Sequence, residues 1–272
     1  QTVAHAVTTM NAGDTTYVRG GTYNEGLIQF SKSGTQSAQI KLLNYPGEAP
    51  IINGIDPQQL HRIILMHGSG SQNPMGWITI EGFEIRNCWN GIKMHNGHDI
   101  TIRRNWIHHN LDQGILGNGT RVSIDRNIIN HNGQFITNPT SNLEHGIYGN
   151  GTAWTISNNL IYDNLVLGIQ QNGSASSNYD PAQHPGPEFA LSHDWVVANN
   201  TIAYQHNSAG MVVWGGNCDN TRIENNIFYE NGVTASGTNG VTFTSISGTT
   251  GVSIRNNISY ASGTGSSNFL GT

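Results

Sequence analysis

ITIRRNWI (Ile100–Ile107) and VSIDRNII (Val122–Ile129) repeat one pattern of apolar residues and asparagine at a spacing of 22 residues. Another copy lies a further 22 residues upstream, and degenerate copies return at longer intervals downstream, while the pattern of the unit itself is kept. A unit that recurs every 20 to 50 residues is typical of a solenoid, in which each repeat covers the apolar face of its neighbour. The further copies begin at Ile78, Trp154, Trp195, Thr221 and Val252.

A second recurring motif, glycine followed by a hydrophobic residue, lies between these units. Each coil therefore offers three short strands, and stacked coils would form three parallel sheets around one continuous core. We predict an all-β fold, a parallel β-helix that occupies residues 1–272 as a single domain. The motifs are Gly91-Ile92, Gly114-Ile115, Gly146-Ile147, Gly168-Ile169, Gly210-Met211 and Gly240-Val241.

Asparagine falls in one register of the repeat, where it tolerates a left-handed turn and can hydrogen-bond to the next coil. This pattern predicts an asparagine ladder, with a second asparagine column at the following corner. The ladder residues are Asn105, Asn127, Asn159, Asn200, Asn226 and Asn257, and the second column is Asn110, Asn132, Asn164 and Asn231.

The N-terminal segment predicts a cap for the solenoid, and the composition disfavours nucleic-acid-binding and membrane-spanning proteins. Val3, Ala6, Val7 and Met10 have helical spacing, which predicts a short amphipathic helix that caps the solenoid. The net charge of -5 with only 12 Lys plus Arg argues against nucleic acid as a partner. Hydrophobic stretches are too short to cross a bilayer, and we expect a secreted monomer whose signal peptide has been removed.

The repeat, the asparagine ladder and the opening AGDTTYVRGGTYNE (Ala12–Glu25) together resemble bacterial right-handed parallel β-helix proteins related to pectate and alginate lyases. The resemblance covers nearly the whole chain. It implies a right-handed solenoid and a polysaccharide partner. It does not choose a reaction, because such folds include lyases, hydrolases, epimerases and non-catalytic binders.

Loop length points to one side of the solenoid. The two longest insertions, Gly133 to Leu143 and Asn172 to Ser192, border the strands that begin with glycine, so they are expected to wall a groove over those strands.

Alternation along the strands predicts the groove floor. With the isoleucines pointing inward, Lys93, Tyr148 and Gln170 turn outward, as do His95 and Trp214 two residues further along. Amides bond hydroxyl groups and aromatic faces stack on sugar rings, so His95, Gln170 and Trp214 are predicted to bind substrate. Three asparagines followed by glycine are interpreted as turn residues instead: Asn118, Asn150 and Asn172.

Asp112 and Glu144 each lie two residues before a groove-strand glycine, which predicts two carboxylates on adjacent coils ~4.8 Å apart. Such a pair suits retaining glycoside hydrolysis, a calcium ion that neutralises a substrate carboxylate, or a shared proton for acid-base work. Gln113 and His145 form the next column, and Gln113 is predicted to bind substrate. The bland alternative is that Asp112 and Glu144 are ordinary loop carboxylates.

β-Elimination on a uronate requires a cation, a proton acceptor and a proton donor. Lys93, His145 and Tyr148 are the candidates, so the predicted catalytic set is Lys93, Asp112, Glu144, His145 and Tyr148. His193, at the end of the second long insertion, is a further substrate-binding candidate.

One more column, His109, His131 and Asp163, combines metal-ligand types, but stacked polar residues on a solenoid are more often surface decoration.

Three hypotheses follow for function. The first is a polysaccharide lyase acting on an acidic glycan, and the second is a glycoside hydrolase that uses Asp112 and Glu144. The third is a non-catalytic glycan-binding or surface module. Calcium is the candidate cofactor, bound by the same two carboxylates.

Overall fold

A computed structural model describes residues 2–55, 65–67, 75–133, 143–173, 191–232, 241–244, 249–260 and 269–270. One helix, α1 (Val3–Thr9), precedes the strands. The strands in chain order are β1 (Thr15–Val18), β2 (Gly21–Glu25), β3 (Gln29–Phe30), β4 (Ile40–Asn44), β5 (Pro50–Gly54), β6 (Leu65–His67), β7 (Gly76–Glu81), β8 (Glu84–Arg86), β9 (Ile92–Arg103), β10 (Trp106–His108), β11 (Ile115–Asp125), β12 (Ile128–Asn130), β13 (His145–Thr152), β14 (Thr155–Ser157), β15 (Leu160–Tyr162), β16 (Leu167–Asn172), β17 (Val196–Ala198), β18 (Thr201–Ala203), β19 (Met211–Trp214), β20 (Arg222–Glu224), β21 (Ile227–Tyr229), β22 (Val241–Thr244), β23 (Ser253–Arg255), β24 (Ile258–Tyr260) and β25 (Phe269–Leu270).

The strands stack as the repeat predicts. Every named strand pair is parallel, and each coil contributes strands to three faces of the solenoid. The groove face contains β3, β6, the first part of β9 and of β11, β13, β16, β19, β22 and β25. The side face contains β1, β4, β7, the second part of β9 and of β11, β14, β17, β20 and β23. The rear face contains β2, β5, β8, β10, β12, β15, β18, β21 and β24.

The expectation of three separate sheets is wrong in one respect. Among the described strands, hydrogen bonding joins the groove and side faces into one sixteen-stranded sheet, while the rear face is a separate nine-stranded sheet. The cause lies in β9 and β11, which bend around the corner without ending. Residues with positive φ, including Asn96, Asp99 and Arg121, make that bend possible.

Aliphatic side chains fill the interior. The repeat positions Ile80, Ile102, Ile124, Ile156, Val197 and Ile223 are all fully buried and belong to one core cluster that spans the coils. At the N-terminal end, Val3, Val7 and Met10 of the α1 segment join this cluster, which confirms the predicted helix. The carboxylate of Glu25 accepts hydrogen bonds from the first N–H groups of α1, where a negative charge is favoured.

The ladder asparagines hydrogen-bond from coil to coil. Asn159, for example, accepts from the side chain of Asn127 at 3.0 Å and donates to Asn200 at 3.0 Å. The left-handed residues are the ones before them, so the prediction that the ladder residues take this conformation is wrong. In the second column Gln205 stands between Asn164 and Asn231 and accepts from Asn164 at 3.2 Å. The left-handed residues are Arg104, Arg126, Asn158, Asn199, Asn225 and Asn256.

Candidate active site

Parallel register builds the floor of the groove face. Leu116 of β11 lies beside Lys93 of β9 and Tyr148 of β13, and Tyr148 lies beside Gln170 of β16. The isoleucines that precede them are fully buried, so these four side chains point outward as the alternation predicts. Lys93, Leu116 and Tyr148 are half-buried, while Gln170 is only 7% exposed.

A second row follows two residues along the strands. A β-bulge in β9 sets His95 and Asn96 against the single residue Asn118, whose amide donates to Asn96 at 2.7 Å. Asn172 lies beside Trp214, which is 39% exposed at the end of β19. The interpretation of Asn118, Asn150 and Asn172 as turn residues is wrong, because all three lie within strands and the side chain of each bonds across rungs.

Asp112 lies just before the strand start of β11, on the rung between those of Lys93 and Tyr148. Its Oδ2 accepts hydrogen bonds from Trp89 Nε1 and Asn90 Nδ2, both at 3.2 Å. The pKa of Asp112 is raised to about 6, chiefly by burial and also by the nearby charge of Glu144. The two hydrogen bonds and the Lys93 cation work in the opposite direction. This carboxyl group therefore titrates near neutral pH, as acid-base groups in active sites often do.

Glu144 shares the column of Asp112, as the spacing predicts, because Gly114 N donates to His145 O on the next rung. Its side chain is fully buried, with Oε2 accepting from Leu143 N at 3.1 Å. Its Oε1 is buried and has no hydrogen-bond partner among the described residues. Gly133 lies so close that an added Cβ would stand 2.4 Å from Glu144 Cβ. The carboxylate is thus buried beneath the surface and is not exposed on the groove floor.

His145 is also fully buried. Its ring meets Tyr148 edge-on at 5.5 Å between centroids, and neither ring nitrogen has a hydrogen bond of good geometry to a described residue. Burial lowers the pKa of His145 to about 3, against the opposing influence of Gln170 and the Glu144 backbone. The imidazole is therefore neutral at physiological pH. It lies below the surface, where a glycan in the groove cannot touch it directly.

Tyr148 links the two rows of the floor. Its hydroxyl oxygen accepts a hydrogen bond from Asn172 Nδ2 at 3.0 Å. Burial raises the pKa of Tyr148, with the Asn172 bond opposing the shift. The phenol consequently keeps its proton at neutral pH and is able to donate it.

Two predicted substrate-binding residues lie away from the open floor. Gln113 is 2% exposed, and its amide is used internally, by Asn90 at 2.6 Å and by the carbonyl of Leu143 at 2.5 Å. Its prediction as a sugar contact is wrong, because both ends of the amide are already bonded. His193 lies at the corner between the groove and side faces, where its carbonyl accepts a hydrogen bond from Ala153 N at 3.0 Å, and its ring bonds to Asp194.

Trp89 and Asn90 are functional neighbours that the sequence reasoning missed. Asn90 lies 22 residues before Asp112, the same spacing as the first repeats, so the register alone would have placed it beside this carboxylate. Trp89 carries no comparable signal, because its indole reaches Asp112 from one residue off the column.

The residues described here do not form a complete calcium shell. Calcium takes six to eight oxygen ligands, whereas Asp112 and Glu144 are only two carboxylates, and Gln113 Oε1 is already bonded to Asn90. Within the described ranges, no group of three or more His, Cys, Asp or Glu side chains is arranged to hold a metal.

The column of His109, His131 and Asp163 is therefore not arranged to hold a metal ion, although its residue types could do so. His109 and His131 stack at 5.0 Å, and His131 Nε2 lies 2.7 Å from an oxygen of Asp163. All three have positive φ and form the left-handed corner before the second asparagine column.

Parallel coils, a buried aliphatic core and a polar groove face define the class of a parallel β-helix. The family model described as Pel9A-like, right handed beta helix region matches residues 1–263, and the chain belongs to this family. The predicted relation to pectate- and alginate-lyase β-helices is confirmed, and with it the right-handed fold.

Individual relatives agree with this assignment. A segment of 55 residues is 49% identical to pectate lyase PEL9 of Emericella nidulans, a match that covers 20% of this chain and 13% of that protein. An alginate lyase from Paenibacillus sp. str. FPU-7 has a TM-score of 0.59 at 15% identity, over 96% of this chain and 93% of that one. Pectate lyase Pel9A has a TM-score of 0.52 at 18% identity, over 98% and 77% of the two chains. The two structures support the fold alone.

In the part of the chain that the structure describes, no helix has the length and hydrophobicity needed to cross a membrane.

Proposed function

We propose that the protein is a polysaccharide lyase that cleaves an acidic, uronate-containing glycan by β-elimination in its groove. The observation that carries this proposal is the arrangement of three groups on adjacent rungs of the groove face, with Asp112 just before β11 and Lys93 and Tyr148 on the rungs to either side. The raised pKa of Asp112 supports its part in proton transfer. Membership of the Pel9A-like family and the pectate lyase relative support the choice of a lyase.

The chemistry requires three groups. A base removes the proton from the carbon beside the uronate carboxylate, and the electron pair that remains is delocalised onto that carboxylate. This pair then forms the carbon–carbon double bond as the neighbouring carbon–oxygen bond breaks, and the leaving oxygen takes a proton from an acid. We assign Asp112 as the proton acceptor, because a carboxylate with a pKa near 6 is ionised at pH 7 and still basic enough to accept a proton.

Lys93 and Tyr148 complete the assignment. The ammonium of Lys93 pairs with the substrate carboxylate and stabilises the negative charge that develops there. Tyr148 donates the proton to the leaving oxygen, since its raised pKa keeps the phenol protonated. The two residues lie on either side of Leu116, two rungs or roughly 10 Å apart, which is a reach suited to neighbouring sugars.

The remaining predicted residues have supporting roles in this proposal. His145 and Glu144 act as positioning residues under Tyr148 and Asp112, because both are fully buried. His95, Gln170 and Trp214 form sugar subsites along the floor, with the exposed indole of Trp214 stacking on a ring. Calcium stays outside the proposed steps.

Turnover of polygalacturonate and alginate provides the test, with unsaturated product followed by its ultraviolet absorbance. We expect activity on at least one polymer and a loss of about 100-fold or more in kcat/KM for Asp112→Asn and for Lys93→Ala. The rate should fall as the pH decreases through 6, because protonated Asp112 no longer accepts a proton. Tyr148→Phe should lower kcat more than it raises KM.

Asp125→Asn and Lys41→Ala are matched controls, since they make the same changes on the side face and should retain full activity. Absence of unsaturated product from every polyuronate, with and without added calcium, would reject the lyase. Reducing ends without that absorbance would identify a glycoside hydrolase using Asp112 and Glu144. Binding without any turnover would identify a glycan-binding module.

Two wider features belong to the same proposal. An enzyme that acts on an extracellular polymer works outside the cell, so we propose that the protein is secreted. We also propose that it acts as a monomer, because the groove as assigned draws all its residues from one chain.

A further inference from the structure

A cavity of about 410 Å³ opens on the side face, near its downstream end and away from the groove floor. This volume lies within the range of roughly 300–1,000 Å³ that is usual for small-molecule sites. Strands β17, β20 and β23 form its floor, and the turns that precede them form its rim. The polar lining residues are Asp194, Asn220, Arg222, Glu224, Ser253 and Arg255.

The same face is closed by ion pairs further upstream. Arg103 and Arg104 both lie 2.7 Å from the carboxylate of Glu81, so neither cation is available to a ligand. Arg126 is likewise paired with Asp125. The upstream arginines of this face therefore form ion pairs with neighbouring carboxylates.

The downstream arginines behave differently. Arg222 and Arg255 are exposed, and neither forms an ion pair with another residue of the described ranges. Register places Arg222 beside Ser253 and Glu224 beside Arg255, so the two arginines occupy diagonal positions on adjacent strands. Diagonal neighbours in a sheet are about 7–8 Å apart, close enough for both side chains to reach one small ligand.

The rim adds acceptors for hydroxyl groups. Asp194 is held by Asn220 Nδ2 at 3.1 Å and by the ring of His193. Although burial acts to raise the pKa of Asp194, the hydrogen bonds from His193 and Asn220 lower it on balance, so the group stays ionised. The cavity thus combines two fork-shaped cations with carboxylate acceptors, Asp194 and Glu224.

We propose that this cavity is a second glycan site that binds one carboxylate-bearing sugar of the polymer outside the groove. Arg222 and Arg255 grip the sugar carboxylate, since guanidinium matches carboxylate geometry in a bidentate manner. Ser253, Glu224 and Asp194 bond the ring hydroxyls. The substrate class rests on the proposed lyase function, but the binding can be measured without turnover.

Affinity electrophoresis through gels containing polygalacturonate, alginate or neutral dextran tests the site. We expect the wild-type protein to be retarded by at least one polyuronate and not by dextran. The double variant Arg222→Ser/Arg255→Ser should weaken that binding by roughly tenfold or more, or about 1.4 kcal/mol. Its kcat/KM on a short oligouronide that occupies only the groove should equal that of the wild type.

The double variant Arg104→Ser/Arg126→Ser removes the same charge from the same face and should bind polymer as the wild type does. Equal retardation of both double variants would overturn the second site, whatever the turnover assay shows. An unretarded wild-type protein would overturn it as well. Displacement of the polymer by inorganic sulfate as effectively as by galacturonate would reduce the cavity to a simple anion site and reject its sugar recognition.

Discussion

At the scale of single residues, Asp112 carries an energetic cost that the rest of the coil tolerates. Its carboxylate is mostly buried and lies near the Glu144 charge, so ionisation is less favourable in the folded state than in the unfolded state. Asp99 shows the opposite balance. Burial would raise its pKa, but hydrogen bonds from Arg121 and His98, with their charges, lower it. Two aspartates of one solenoid thus affect stability with opposite signs.

Asp112→Asn should abolish activity and stabilise the fold at neutral pH. Below pH 4 the carboxyl group is protonated in both states and the substitution changes little. Between pH 4 and 6 only the unfolded state loses its proton, so the wild type is progressively destabilised until the folded group ionises as well. We expect the variant to gain roughly 1–3 kcal/mol at pH 7.5 and almost nothing at pH 4, measured by urea unfolding.

Asp99→Asn is the control of opposite sign. Its folded-state pKa is lowered, so its contribution to stability is present above the unfolded pKa and is lost as the pH falls. The variant should therefore be destabilised at pH 7.5 and much less so at pH 4. Equal effects of Asp112→Asn at both pH values would contradict the assignment of a strained carboxylate.

At the scale of elements, β13 passes directly over a pair of stacked indoles. Trp154 and Trp195 lie parallel at 4.8 Å between centroids and fully buried, and each indole N–H donates to a strand carbonyl, that of Gly119 at 2.9 Å and of Gly151 at 2.7 Å. An added Cβ on Gly149 would stand 2.6 Å from Trp154 and 2.7 Å from Trp195. The glycine is required because the two rings cannot withdraw without breaking their hydrogen bonds.

Gly149→Ala should therefore lower the free energy of unfolding by roughly 1–3 kcal/mol, the usual cost of overpacking a well-filled core. The shift in tryptophan fluorescence on folding reports whether the indole pair is displaced. Gly97→Ala in β9 is the control, because its nearest contact is a flexible Ile100 carbon at 3.2 Å, and it should cost clearly less. A loss at Gly97 as large as that at Gly149 would show that the indole pair is not the cause.

At the scale of the whole molecule, the fold was accessible from the sequence because the solenoid repeats its information. The 22-residue spacing fixed which residues become vertical neighbours, and so Lys93, Tyr148 and Gln170 were placed correctly on one face. How deeply each side chain is buried could not be predicted from the sequence. His145 and Gln113 follow the same register, yet both are buried, because their exposure depends on side chains from neighbouring coils and on the Gly133 turn.

Periodicity also conceals what happens at corners. Alternation treats every strand as flat and ending at its turn, whereas β9 and β11 continue around the corner with left-handed residues inside them. The cavity on the side face has no sequence signal for a related reason. Glu81, Arg103 and Asp125 alternate in sign much as Glu224 and Arg255 do, but in the folded protein the upstream charges form ion pairs, whereas Arg222 and Arg255 form none with the described residues.

A solenoid held by nearest-neighbour contacts should respond to the same substitution according to the position of the coil. Asn159 lies in the middle of the ladder, buried at 2% exposure, and bonds Asn127 and the carbonyl of Ile124 on one side and Asn200 on the other. Asn257 is half-buried at the end of the described ladder and bonds Asn226 and the carbonyl of Ile223.

Asn159→Ala leaves buried hydrogen-bonding partners unpaired in two coils. We therefore expect it to cost roughly 3 kcal/mol or more in urea unfolding, against about 1 kcal/mol for Asn257→Ala. Hydrogen exchange should show lost protection spreading to both sides of Asn159 but to one side of Asn257. Equal costs for the two variants would mean that the column does not transmit stability from coil to coil.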